Sequence, residues 1–75
     1  MSGVLIVETH ELRGTARQDL VLSPLPEPEA RVLAGLLLNR PGPVTGPGPW
    51  RCPVAGGARR VALRAAGEPA ALVAP

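Results

Sequence analysis

Arg59, Arg60 and Arg64 are the side chains best suited to chemistry, and that chemistry is anion recognition. A guanidinium offers a planar fork of donors that matches phosphate oxygens and guanine edges. Residues 50–75 carry four Arg and one acid, net +3, whereas residues 1–49 carry four Arg and five acids, net −1. A basic C-terminal third is what an anionic partner needs. The plainer reading is a solvated face whose Arg stems cover a small core. His10 and Cys52 offer a base and a nucleophile. No glycine elbow, orienting carboxylate at motif spacing or oxyanion-hole signature accompanies them. His10 is therefore expected on a strand surface, and Cys52 as a small apolar residue beside Trp50. Two ligands fall short of the four in a structural zinc site, and a lone cysteine excludes an internal disulfide. Residues 42–48 hold no GxGxxG and no Gly-Lys-Ser/Thr, and their prolines lack the N–H groups of a phosphate cradle. The expectation is no catalytic residue, no metal, no cofactor and no small-molecule substrate. Trp50, the single aromatic residue, is either the anchor of its loop or a partner-binding hot spot. With no Phe or Tyr to fill a core, the anchor is favoured.

The segment LSPLPEPEARVLAGLLLNRPG must position the rest. Ala30, Leu33, Ala34 and Leu37 follow helical spacing, and Leu36 widens the stripe. Pro28 suits a first helical position. Glu27 and Glu29 face the positive end of the dipole, and Arg40 the negative end. Asn39 suits a left-handed C-cap, and Pro41 forbids continuation. A helix over 28–39 follows. Ahead of it, the β-branched run Val4-Leu5-Ile6-Val7 predicts a strand over 4–11, and a turn at Arg13-Gly14-Thr15 leads to a second strand over 17–22. The short connection makes the pair antiparallel, and it must lie against the helix, with Leu25 covering the joint. Five prolines and five glycines across 40–57 exclude a regular helix or central strand and predict a long loop. Residues 58–66, ARRVALRAA, read as a helix stopped by Gly67 and Pro69. A hairpin, with Val61 and Leu63 on one side and 70–73 returning, is the alternative. The fold class is α+β: an N-terminal strand pair on one main helix, a Pro/Gly loop and a short Arg-bearing helix.

With 75 residues the chain has room for one small domain over 1–75. Its 45% hydrophobic content is largely alanine, so large core side chains are few. The N-terminus lacks a basic region before its short apolar run, unlike a signal peptide, and no run approaches a membrane span. A cytoplasmic protein without a membrane partner is expected.

Several stretches resemble the winged-helix DNA-binding domain of OmpR/PhoB-type response regulators. They are Leu22-Ser23-Pro24, Glu29-Ala30-Arg31-Val32-Leu33, Leu36-Leu37 and Asn39-Arg40-Pro41-Gly42 with Val44. Leu63-Arg64, Gly67-Glu68-Pro69 and Leu72-Val73 are similar to the stretch that closes the family's recognition helix, and Trp50 falls near the family's tryptophan. Gly46-Pro47-Gly48-Pro49 stands where the family's second helix would be, so the chain resembles a truncated or degenerate member. The resemblance implies a non-enzymatic DNA-binding regulator with Arg59, Arg60 and Arg64 as nucleic-acid-binding residues. A small protein-interaction module, using an exposed strand edge or the Trp50 loop, is the alternative expectation.

Overall fold

The β-branched run at the N-terminus becomes the strand on which the others assemble. The computed structural model describes residues 3–69. They run β1 (Val4–Arg13), β2 (Ala16–Val21), β3 (Leu25–Pro26), α1 (Glu27–Leu37), β4 (Trp50–Val54) and β5 (Gly57–Ala65). The fold is α+β, an antiparallel sheet of order β2-β1-β5-β4 with one helix against it. Central β1 pairs with β2 from Glu8↔Val21 to Arg13↔Ala16, and β3 continues along the same side at Val4↔Pro26. On its other side β1 pairs with β5 from Leu5↔Ala65 to Arg13↔Gly57.

The region predicted as an Arg-bearing helix over 58–66 is strand β5. The hairpin alternative is closer, although β5 pairs with β4 and β1, and its proposed return at 70–73 lies outside the described residues. The expected loop over 40–57 is also shorter. It ends at Pro49, and Pro53 fits within β4 because β4 is an edge strand, where a missing N–H breaks no central ladder. Gly57 starts β5 beneath β1: a Cβ there would stand 1.7 Å from the Leu12 carbonyl oxygen.

Helix α1 starts one residue earlier than Pro28 and ends at Leu37, two residues short of the expected 39. Asn39 is left-handed at φ 59; its N–H donates to the Leu36 carbonyl, and the Arg40 N–H to Gly35. That is a Schellman ending. The buried arc is narrower than the expected stripe. Ala30, Ala34 and Leu38 face the sheet, Leu33 and Leu37 flank them half-buried, and Leu36 is 64% exposed. Small side chains thus lie where the helix meets Val7 and Val61, and Leu36 points away from that contact.

The Pro/Gly loop is fastened to the helix. Val44, 1% exposed, plugs the core, and its N–H donates to the Arg31 carbonyl. Arg31 returns hydrogen bonds to the Val44 and Gly46 carbonyls while pairing with Glu27 one helical turn earlier. Gly35 permits the approach, since a Cβ there would lie 2.1 Å from the Gly42 carbonyl oxygen.

Candidate anion-binding site on the sheet

Strand alternation sorts the arginines by face. Leu5, Val7, Thr9 and Glu11 lie on the helix side of β1, opposite Ala65, Leu63, Val61 and Arg59. The even-numbered β1 residues lie on the far side, opposite Arg64, Ala62, Arg60 and Ala58. Arg59 therefore belongs to the helix side. Its Nε–H donates to Glu11 at 2.7 Å, and a terminal N–H donates to the Leu37 carbonyl at 2.8 Å. A cation at the end of the helix dipole thus comes from β5, while the last turn of α1 itself carries no basic residue. Arg59 and Arg13 together hold the Glu11 carboxyl below its ordinary pKa, the Arg59 hydrogen bond contributing most.

Arg64, on the far face, donates through Nε to Glu8, which is fully buried, and through a terminal nitrogen to the Glu68 carbonyl. This arginine compensates a buried carboxylate. Its role in the fold accounts for its place.

Arg60 is different. A row of directly opposed residues crosses four strands on the far face: Asp19, His10, Arg60 and Arg51. His10 Nδ1–H donates to the Asp19 carboxylate, which also lies near Arg17. Arg60 and Arg51 are directly opposed on adjacent strands and share this face, and like charges opposite one another destabilise a sheet. Neither has a carboxylate partner among the described residues, whereas Arg13, Arg17, Arg31, Arg59 and Arg64 each have one. Arg60 Nε is buried and without a hydrogen-bond partner there. Both arginines border an open cleft of about 320 Å³, whose other walls are His10, Leu12 and Ala58. Ala58 and Ala62 lie two residues either side of Arg60 on the same face, Ala62 buried at 3% exposure.

Of the three expected nucleic-acid contacts, the fold thus leaves Arg60 without a carboxylate partner among the described residues and commits Arg59 and Arg64 to carboxylates. Arg51 joins the site unanticipated. The Ala55-Gly56 turn, with Gly56 at φ 81, pairs Arg51 with Arg60. That turn was the available signal, and a helical reading of the next segment hides it. Trp50 is half-buried on the helix side, packed against the core, and its ring fills the space a Cβ on Gly48 would occupy.

His10 and Cys52 sit on opposite faces. Cys52 is buried under α1, its thiol directed at the Leu37 carbonyl. Among the described residues no three His, Cys, Asp or Glu gather as a metal site, and no helix is long and apolar enough to cross a membrane. No protein-family model, curated protein or solved structure matches the chain.

Proposed function

We propose that this protein is a non-enzymatic binding module for a polyanion, with DNA as the expected partner and the Arg51–Arg60 cleft as the contact. The observation that carries the reading is the opposed Arg51–Arg60 pair, without a carboxylate and with Arg60 Nε buried and unpartnered among the described residues. A phosphate between the two would replace repulsion with charge-assisted hydrogen bonds. The partner class is the one the winged-helix resemblance implies, but the contact moves from a recognition helix to the face of a sheet turned away from the helix. Recognition there is of backbone charge, which positions a nucleic acid without reading its sequence.

The test is binding of a labelled DNA duplex, followed by fluorescence anisotropy across a salt series. One phosphate held by both guanidiniums predicts a log–log slope of about −0.9. Arg51→Ala combined with Arg60→Ala should remove most of that slope while the circular dichroism spectrum stays that of the parent. Binding that ignores salt, or a slope unchanged in the double variant, rules the reading out.

A further inference from the structure

The two edges of the sheet are built differently. Edge strand β4 carries Pro53, which has no N–H to offer a newcomer. Edge strand β2 has no proline, and all six of its residues are exposed, including Leu20 at 46% and Val21 at 51%. The Leu22 N–H donates to the Val7 carbonyl, which sets the parity of the ladder beyond it. Even-numbered residues of β2 then face β1, and the N–H and C=O groups of Arg17, Asp19 and Val21 point outward. Among the described residues nothing pairs with that edge.

We infer that the β2 edge joins a second copy of this chain, antiparallel, centred on Gln18. Outward parity allows registers centred on Arg17, Gln18, Asp19 or Leu20, and the Leu20 register sets Asp19 against Val21 and pairs no opposite charges. Centring on Arg17 or on Asp19 sets an identical charge against itself, which is unfavourable. Centring on Gln18 sets Arg17 against Asp19 of the second copy, and Asp19 against its Arg17. The same register sets Gln18 against Gln18 and Leu20 against Ala16, all on the helix side. Arg17 is half exposed on its side chain and lies 3.8 Å from its own Asp19, so it reaches a second carboxylate without leaving a tight pair. Edges guarded against association usually carry charge of one sign, most often lysine. Here opposite signs two residues apart make the edge complementary to itself. On the helix side, Leu20 and Gln18 share a cleft with Leu37 and Thr9, so an added strand would extend its floor. This inference is independent of the polyanion reading, since neither Arg51 nor Arg60 lies on β2.

Sedimentation velocity of the full chain from micromolar to millimolar tests it. The parent should shift from monomer to dimer within that range. Arg17→Asp and Asp19→Arg should each associate about tenfold more weakly, or less still, because both cross-strand pairs become like-charged. Mixing the two variants should restore a dimer containing one of each, detected by native mass spectrometry, since every pair is again opposite in sign. Should either single variant fail to fold, the chain carrying both changes decides: it should dimerise as the parent does. A parent monomeric at millimolar concentration, single variants that dimerise like the parent, or a mixture or double variant that stays monomeric would each overturn the inference.

Discussion

Replacing Arg59, Arg60 and Arg64 by alanine, one at a time, should have three different consequences, although sequence alone treats them alike. Arg64→Ala leaves the Glu8 carboxylate, at 0% exposure, without its guanidinium. Breaking a buried pair from one side costs about 3–5 kcal/mol. The Arg64 side chain retains 17% exposure, so water can reach part of the site and the lower end applies. For a chain of this size each kcal/mol moves the midpoint by about 4–8 °C, so about 3 kcal/mol lowers it by about 12–24 °C. Arg60→Ala removes no ion pair found among the described residues and relieves the opposition with Arg51, so its stability should stay within about 0.5 kcal/mol of the parent. Arg59→Ala should fall between them, because it releases the Leu37 carbonyl as well as Glu11. Thermal melts followed by far-ultraviolet circular dichroism give the order directly. If Arg60→Ala melts as early as Arg64→Ala, Arg60 has a structural partner and the cleft reasoning collapses. A neutral Arg64→Ala would refute the account of Glu8.

The Glu11 carboxyl, held low first by Arg59 and then by Arg13, contributes stability that is fully present above its ordinary pKa. That contribution fades as pH falls through the lowered folded-state value; urea midpoints against pH should show the fade in the parent and less of it in Arg59→Ala, and parallel curves would count against the assignment. Val61→Ala should cost about 2–3 kcal/mol, from the lost apolar groups plus the cavity left at a fully buried site. Leu36→Ala should stay within about 0.5 kcal/mol, and denaturant titration that reversed the two would relocate the core. Gly35→Ala improves helix propensity by about 1 kcal/mol yet should lower the melting temperature, because its Cβ would strike the Gly42 carbonyl; a raised midpoint would mean the loop can move aside.

Elements whose local signals agree are legible in the sequence. The helix is one: its apolar period, its acidic first turn and the Asn39-Arg40-Pro41 ending all act within a few residues of one another, and α1 obeys them. The first hairpin is another, where a β-branched run meets a glycine able to take φ 59 at Gly14 and the chain reverses in two residues. Residues 58–66 carry two periods at once. Alanine content favours helix, but that preference amounts to fractions of a kcal/mol per residue. The open side of β1 offers nine ladder positions to the same segment and a buried site for Val61. Those contacts depend on residues some fifty positions away, and no local window contains them.

The candidate site divides along the same line. Sequence by itself determined that the protein's cationic chemistry would be arginine chemistry concentrated in its final third, because composition and charge distribution require no partner strand to be counted. Only the tertiary structure decided which of Arg59, Arg60 and Arg64 lacks a carboxylate among the described residues. A strand sends neighbouring side chains to opposite faces, so Arg59 went to Glu11 and the helix end while Arg60 went to the far side. Register across β1 and β4 then set Arg64 beside a buried carboxylate and Arg60 opposite Arg51. Compensation of charge depends on what lies within a few ångströms in space, and here that was fixed by pairing between strands distant along the chain.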